Sequence, residues 1–188
     1  MSISATRLPG GCLHPEWQIY WEHIYAGKDP AVVSWHQAHP EHSLSLINDS
    51  AIGSAARIID VGGGASRLVD QLLDAGYRNL TVLDIAATSI ERARLRLGER
   101  ASQVNWLVGD ITNYATPQPF DIWHDRAVFH FLTSQQDRAS YVESMLNALT
   151  PNGQVIIATF SDSGPGQCSG LEVVRYNPAM LSNTLGPR

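Results

Sequence analysis

Cysteine, clustered basic residues and long apolar runs are all scarce in this chain. Its 188 residues include two cysteines, and the separation of Cys12 from Cys168 fits neither a metal site nor a redox motif. We therefore expect reduced thiols in a cytoplasmic protein. The net charge is −5, which argues against a nucleic-acid partner bound through its phosphates. No apolar run has the length of a membrane span and no signal peptide is evident, so we expect no membrane partner.

Strands and helices alternate along most of the chain, whose length is typical of one domain. Strand–helix–strand units connect parallel strands by right-handed crossovers, so we predict an α/β fold. Its expected form is a doubly wound, mostly parallel sheet with helices on both faces. Residues 1–50 are predicted to form N-terminal aromatic helices, and residues 51–188 the core. The predicted strands of the core are residues 57–61, 80–85, 104–110, 119–124 and 153–160.

Three consecutive glycines follow the first predicted strand. Gly62, Gly63 and Gly64 come just after Asp60 and precede a helical pattern. Glycine lets a backbone approach a ligand closely and presents amide donors at a helix N-terminus, although a tight structural turn would use it too. A dinucleotide site requires a third glycine where this chain has Arg67, and no Gly-Lys-Ser/Thr follows for a triphosphate. The spacing therefore argues against a ligand held by its pyrophosphate.

An aspartate ends each of the next two predicted strands. Asp84 lies 20 residues after Gly64, where a carboxylate can accept hydrogen bonds from both hydroxyls of a ribose. Asp110 follows the third strand and could accept a hydrogen bond from an adenine amino group. Either aspartate alone is more often a turn or helix cap. Together, beside the glycine turn, they favour a nucleoside without phosphates.

This combination resembles the class I S-adenosylmethionine-dependent methyltransferases of the small seven-stranded type. Asp60-x-Gly62-x-Gly64 is similar to the first motif of that family, and FDIWHDRAVFHFL (residues 120–132) to the fourth. The resemblance covers residues 15–186. It implies S-adenosyl-L-methionine as cofactor and S-adenosyl-L-homocysteine as product. The cofactor-binding residues that it implies are Asp60, Gly62, Gly63, Gly64, Ser66, Asp84, Ile85, Asp110, Ile111, His124, Arg126, Tyr20 and Tyr25.

Aromatic residues are concentrated in PEWQIYWEHIYA, residues 15–26, at the spacing of an amphipathic helix. The resemblance implies that this helix and the following Val-Ser-Trp segment form a lid over the cofactor. Trp35 and His36 are then expected in the substrate pocket. Aromatic rings there would exclude water and stabilise the sulfonium by cation–π contact, whereas the alternative is an aromatic face packed on the sheet. Residues 1–15 are expected to be a loosely draped lead.

His124 and Asp125 are the candidate catalytic residues, since they lie at the carboxyl end of the fourth predicted strand. Methyl transfer from a sulfonium is an in-line displacement, for which alignment and exclusion of water can supply most of the rate. A base helps when the nucleophile arrives protonated, so positioning of the cofactor is the alternative role for this pair. Arg126 is expected to meet a carboxylate or to pair with Asp125, and His130 to pack in the core.

Three histidines share a spacing that can indicate metal ligands, but we predict no metal site. Pro40 interrupts any helix that would align His36, His39 and His42. No cluster of carboxylates or cysteines accompanies them.

The predicted function is transfer of a methyl group from S-adenosylmethionine to an O, N or S atom of a small molecule or a protein side chain. A non-catalytic cofactor-binding module or truncated remnant is the alternative, because strands six and seven of the family are not evident after residue 160. A nicotinamide-dependent oxidoreductase is a third, which Arg67 disfavours. A core that ends at the fifth strand would expose a sheet edge through which the protein could self-associate.

Overall fold

One central sheet, covered by helices on both faces, organises the molecule. The structure is a computed structural model and describes residues 5–8, 14–27 and 36–186. Its central strands are β1 (Thr6–Arg7), β2 (Arg57–Val61), β3 (Asn79–Asp84), β4 (Val104–Val108), β5 (Phe120–Arg126) and β6 (Leu149–Ala158). A separate antiparallel hairpin contains β7 (Gln167–Cys168) and β8 (Leu171–Glu172). The helices are α1 (Pro15–Gly27), α2 (Glu41–Asp49), α3 (Leu68–Asp74), α4 (Ala87–Leu97), α5 (Gln135–Asn147) and α6 (Pro178–Leu185).

The strands of the central sheet are parallel and lie in the order β1-β4-β3-β2-β5-β6. From β2 the chain proceeds outward through β3 to β4, and then returns to the other side of β2 for β5 and β6. The order therefore reverses between β2 and β5, and ligands of open α/β sheets bind beyond the carboxyl ends of strands at such a point. This topology confirms the predicted doubly wound fold.

Strand β2 separates two hydrophobic cores. Ile58 packs in one core with Leu72 of α3 and Ile90 of α4, and Ile59 packs in the other with Tyr141 of α5. Successive side chains of a strand point to opposite faces, so a strand covered on both sides needs a continuous apolar run. Both isoleucines are fully buried, which stabilises the fold by roughly 2 kcal/mol each.

Strand β1 is a sixth strand of the sheet, and the expectation of a loosely draped lead was wrong for its residues. It pairs with the outer edge of β4, and the Leu8 amide donates to the Val108 carbonyl at 3.0 Å. The Leu8 side chain fills the space beside Gly109, where a Cβ atom would overlap it. A strand of two residues is too short to show a periodic sequence pattern. It forms because the edge of β4 is open to pair with it.

Strand β6 is an edge strand in the part of the chain that the structure describes, where it pairs with β5 alone. It begins at Leu149, earlier than predicted, and tolerates Pro151 because an edge strand can lack an amide donor on one side. After the β7–β8 hairpin, Leu181 and Leu185 of α6 pack against the core that contains Ile59. No helix in the described ranges is long and apolar enough to cross a membrane.

Candidate active site

A cavity of about 250 Å³ lies beyond the carboxyl ends of β2, β3 and β4, where the sheet order reverses; we call it the strand-end cavity. Its sheet wall consists of Val61, Gly62, Ala65, Ser66, Leu83, Asp84, Ile85, Gly109, Asp110 and Ile111. Its outer wall consists of Trp17, Trp21, Tyr25, His36, Gln37, Arg126, Ala127, Val128, Phe131, Leu132, Thr133, Cys168, Leu171 and Glu172. The sheet wall thus combines polar groups with apolar ones, and the outer wall is rich in aromatic rings.

The glycine turn after β2 is tightly packed from both sides. Gly62 has a φ of +67°, a left-handed conformation that favours glycine, and its amide donates to the Leu83 carbonyl at 2.7 Å. A Cβ atom on Gly62 would overlap Val128, and one on Gly63 would overlap the Asp60 carboxylate. The turn therefore requires glycine for packing as well as for access to the cavity.

Asp84 connects the glycine turn to the following strand end. Its carboxylate accepts a hydrogen bond from the Gly64 amide at 3.1 Å and another from the Ala86 amide at 2.8 Å. Burial raises the pKa of Asp84 to about 6, although these amides and the Ser89 hydroxyl oppose the rise. Asp84 also lines the cavity, and its carboxylate oxygens have acceptor capacity beyond these two amide hydrogen bonds.

Asp110 is both a cap and a cavity residue. Its Oδ1 accepts from the Thr112 amide at 2.9 Å and from the Thr112 hydroxyl at 2.6 Å, which fixes the short 3-10 helix Ile111–Asn113. The capping role that sequence alone favoured for a single aspartate is therefore present. Asp110 also lines the cavity, next to Ile111.

His124 joins a buried chain of three side chains beneath the turn. Its Nδ1 lies 2.7 Å from Asp60 Oδ1, and its Nε2 lies 3.0 Å from the hydroxyl of Ser43 on α2. All three residues are buried, and none of them lines the strand-end cavity. Asp60 Oδ2 has no hydrogen-bond partner in the described part of the chain. The arrangement ties α2 to β2 and β5 at the base of the glycine turn.

Asp125 is fully buried and also lies outside the cavity lining. Its carboxylate accepts from the Tyr141 hydroxyl at 2.6 Å, the Val128 amide at 2.8 Å and the Phe129 amide at 3.1 Å. Burial raises its pKa to about 6. These bonds hold the turn after β5 against α5. Arg126 does not pair with it; the guanidinium lines the cavity and forms no hydrogen bond or ion pair with a described residue.

Glu22 anchors α1 to the sheet side of the cavity. Its carboxylate accepts from the Ala87 amide at 2.7 Å, from the Thr88 amide at 3.0 Å and from the Thr88 hydroxyl, so it caps the first turn of α4. Gln18 adds a hydrogen bond to the Ile85 carbonyl at 3.1 Å. Sequence reasoning placed Glu22 in the predicted lid helix but gave it no contact with α4. The contact meets a local need, because Ala86 stands at the N-cap of α4 and its side chain forms no capping hydrogen bond.

The aromatic residues of α1 continue into the turn after β5. The Trp21 ring centroid lies 6.1 Å from that of Tyr25 and 5.2 Å from that of Phe131. Tyr25 is buried and lines the cavity together with Trp17. The α1 helix thus supplies part of the outer wall of the cavity. The Val-Ser-Trp segment of the predicted lid lies outside the described residues.

Several predicted site residues meet in the cavity and others do not. The residues that line it are Gly62, Ser66, Asp84, Ile85, Asp110, Ile111, Arg126, Tyr25 and His36. Those that lie outside its lining are Asp60, Gly63, Gly64, His124, Asp125 and Tyr20. Tyr20 instead donates its hydroxyl to the Ser169 carbonyl, which ties α1 to the β7–β8 hairpin. Trp35 lies outside the described residues.

The remaining histidines lie in different environments. His130 is buried between Phe131 and Phe160, and burial lowers its pKa to about 4. His39 faces Gln71, with 3.3 Å between Nδ1 of His39 and Nε2 of Gln71. Within residues 5–8, 14–27 and 36–186, no three His, Cys, Asp or Glu side chains are grouped as metal ligands.

Sequence reasoning missed the contribution of the hairpin to the cavity. Cys168, Leu171 and Glu172 line the cavity. Sequence reasoning could not place them, because their segment has no periodic apolar pattern. Their placement depends on contacts with distant residues, such as Tyr20.

Comparison with known proteins gives the family of the chain. Residues 58–153 match a methyltransferase domain family. The chain is 30% identical over 148 residues to nodulation protein S of Sinorhizobium fredii, a match that covers 77% of this chain and 66% of that protein. Nodulation protein S of Rhizobium tropici is 26% identical over 136 residues, which cover 71% of this chain and 56% of that protein. The chain therefore spans less than two thirds of the length of these two relatives.

Solved structures show the same fold. The N-methyltransferase NodS from Bradyrhizobium japonicum WM9, in complex with S-adenosyl-L-homocysteine, has a TM-score of 0.63 at 25% identity, over 78% of this chain and 74% of that one. The DhpI–SAM–HEP complex has a TM-score of 0.70 at 16% identity, over 95% of this chain and 89% of that one, which shows the fold alone. The family match extends over just over half of the chain. The chain belongs to the class I S-adenosylmethionine-dependent methyltransferases.

Proposed function

We propose that this protein transfers the methyl group of S-adenosylmethionine to a small molecule or a protein side chain. The observation that carries the proposal is the convergence of Asp84, Asp110 and the glycine turn on one cavity at the reversal of the sheet order. Two carboxylates and a side-chain-free backbone suit a nucleoside without phosphates. The cofactor, when bound, supplies a methyl group that its sulfonium sulfur activates towards displacement.

The sheet wall fits the nucleoside end of the cofactor. Asp84 would accept hydrogen bonds from the ribose hydroxyls, and Asp110 would accept one from the adenine amino group. Ile85 and Ile111 follow these aspartates and would pack on the faces of the purine. Arg126 would bind the carboxylate at the other end, since its guanidinium has no partner among the described residues.

The outer wall fits the methyl acceptor. Its aromatic side chains exclude water from the reaction, which keeps the hydration shell away from the nucleophile. The fixed cap between Glu22 and α4 holds these rings in place. Alignment of the two reactants in such a cavity can supply most of the acceleration.

His124 and Asp125 support this site indirectly in our proposal. Both are buried outside the cavity lining, and each already has hydrogen-bond partners within the protein. His124 positions Asp60 beneath the glycine turn, and Asp125 fixes the turn after β5. A residue that removes a proton from the acceptor must come within hydrogen-bond reach of it, and the outer wall offers His36 and Glu172 for that task.

Calorimetric titration with S-adenosyl-L-homocysteine tests the cofactor site directly. We expect binding to the wild-type chain, a loss of at least about tenfold in Asp84→Asn, and wild-type affinity in the matched control Asp49→Asn, which changes an exposed aspartate. Release of S-adenosyl-L-homocysteine from S-adenosyl-L-methionine in the presence of acceptor compounds then tests transfer. Binding without turnover across an acceptor panel would indicate a non-catalytic binding module. A folded wild-type chain that binds neither compound would refute the proposal.

The open edge of β6 supports a further part of the proposal, self-association through this strand. An unpaired edge offers amide and carbonyl groups to the same strand of a second copy. Sedimentation at micromolar concentration is expected to show a dimer. The substitution Ala158→Lys, at an exposed position at the end of β6, should dissociate it by like-charge repulsion. Ala139→Lys, at an exposed position of α5, is the matched control. A monomeric wild-type chain would rule this interface out.

A further inference from the structure

We infer that Glu172 selects amines as methyl acceptors, by binding the acceptor nitrogen at the mouth of the strand-end cavity. The inference rests on the proposed methyl transfer and extends it, because it names both the acceptor class and the residue that recognises it.

Glu172 lies where the cavity meets the protein surface. It is the second residue of β8 and it is exposed, yet it contributes to the outer wall. Together with Thr133 it also lines a second, more open pocket, whose other members are Pro165, Gly166, Gln167, Val173, Val174 and Arg175. Thr133 and Glu172 therefore stand between the two pockets, at the boundary of the strand-end cavity.

The acidic residues of the cavity lining are engaged to different extents. Asp84 and Asp110 are buried and already accept hydrogen bonds from backbone amides. The Glu172 carboxylate forms no hydrogen bond or ion pair with a described residue. Arg126 lines the same cavity, but the two side chains do not pair. Glu172 therefore presents an available negative charge to whatever enters.

Aromatic rings complete the environment of a cation. Trp17, Trp21 and Phe131 belong to the outer wall together with Glu172. The faces of such rings attract ammonium groups, and a carboxylate adds a charge-assisted hydrogen bond. A hydroxyl or a thiol of the same shape gains neither the cation–π attraction nor the full ionic contribution. The outer wall therefore discriminates in favour of nitrogen.

The chemistry of the step is consistent with this role. An acceptor ammonium first loses a proton through the exposed Glu172 carboxylate to solvent, which leaves Glu172 ionised. The nitrogen lone pair then forms the new N–C bond while the C–S bond breaks, and the thioether leaves with the bonding electron pair. Positive charge moves from sulfur to nitrogen during this displacement, so a carboxylate beside the nitrogen stabilises the transition state. The methylated ammonium keeps the charge or releases a second proton to solvent.

Paired probes test the inference in the presence of saturating S-adenosyl-L-homocysteine. Calorimetry would compare benzylamine with benzyl alcohol, cyclohexylamine with cyclohexanol, and glucosamine with glucose, on wild type, Glu172→Gln and Glu143→Gln. Glu143 is exposed on α5 and does not line the cavity, so its variant is the matched control. We expect wild type and the control to bind at least one amine more tightly than its alcohol. In Glu172→Gln the amine affinity should fall by about fivefold, as for an exposed ion pair, with alcohol binding unchanged.

Three results would overturn the assignment. The first is the absence of amine preference in every pair, and the second is an equal loss for amine and alcohol in Glu172→Gln. The third is an equal loss of S-adenosyl-L-homocysteine affinity in that variant, which would assign the carboxylate to the amino group of the cofactor. Failure of the wild-type chain to bind S-adenosyl-L-homocysteine would instead refute the proposed function itself, so the two failures are distinguishable.

Discussion

The carboxylate of Glu22 lies 2.7 Å from the amide nitrogen of Ala87 and thereby supplies the helix cap that α4 lacks. Glu22 belongs to α1, whose Trp17, Trp21 and Tyr25 line the cavity, and α4 starts directly after the strand end that carries Asp84. One side chain therefore caps α4 and ties α1 to the strand end that carries Asp84. The helix dipole contributes to this contact, because a negative charge at a helix N-terminus is favourable.

We expect Glu22→Ala to lower the free energy of unfolding by about 1 kcal/mol, the usual cost of losing a cap. Affinity for S-adenosyl-L-homocysteine should fall as well, because the lid is released from the strand end. Urea denaturation and calorimetry measure the two effects. Glu143→Gln is the matched control, with an exposed carboxylate away from the cavity. Unchanged stability together with unchanged affinity would show that the cap is dispensable.

The buried carboxyl group of Asp125 should make the free energy of unfolding larger at acidic pH than at neutral pH. Burial raises its folded-state pKa to about 6, from an ordinary value of 3.8. Between these values the folded state binds a proton that the unfolded state releases, so stability falls as pH rises through this window and then levels off. Asp84, with its pKa also raised to about 6, contributes in the same direction.

Asp125→Asn isolates the contribution of Asp125. Asparagine cannot ionise. The unfolding free energy of the variant should therefore decrease less between about pH 4 and pH 6 than that of the wild type, by on the order of 2 kcal/mol. Urea denaturation of both proteins at each pH measures this, and the difference between them removes the contributions of other groups. A constant difference across the range would contradict the assignment.

The strands that carry the site could be read from the sequence because burial on both faces leaves a strong pattern. Strand β2 coincides with the predicted residues 57–61, and β3 and β4 differ from prediction by one or two residues at their ends. Each ends near a polar residue that faces the cavity or the glycine turn. The glycine spacing, together with Asp84 and Asp110, was therefore enough to locate the sheet wall.

The outer wall could not be read in the same way. Glu172 belongs to a hairpin whose strands have two residues each, so neither periodicity nor propensity could identify it. Its position depends on the contact between Tyr20 and Ser169, which are 149 residues apart. His124 shows the opposite difficulty, because its sequence position suggested chemistry while its contacts with Asp60 and Ser43 turn it away from the cavity.

Gly63→Ala should destabilise the fold strongly. The added Cβ atom would overlap the Asp60 carboxylate, and a shift of that carboxylate would break its hydrogen bond to His124. Overpacking combined with loss of a buried charged hydrogen bond predicts about 2–4 kcal/mol in urea denaturation. Gly166→Ala is the control, since no atom lies within 4 Å of a Cβ atom there. Equal stability of the two variants would mean that the turn adapts to the added methyl group.

His124 can be tested as a positioning residue by comparing two substitutions. His124→Asn places an amide donor near the position of Nδ1 and should retain most of the hydrogen bond to Asp60, whereas His124→Phe leaves this buried carboxylate without a partner. Stability and affinity for S-adenosyl-L-homocysteine should therefore fall much further in the phenylalanine variant, by roughly 2–4 kcal/mol in unfolding free energy.

The rate of methyl transfer decides between positioning and proton transfer at His124. A positioning role predicts that His124→Asn retains turnover with the pH–rate profile of the wild type, because neither form uses the imidazole as a base. A catalytic base predicts that both variants lose turnover and that the asparagine variant loses the limb of the profile that the imidazole controls. The buried hydrogen bonds from His124 to Asp60 and Ser43 favour the first outcome, since a base occupied on both nitrogens has no free site for the acceptor proton.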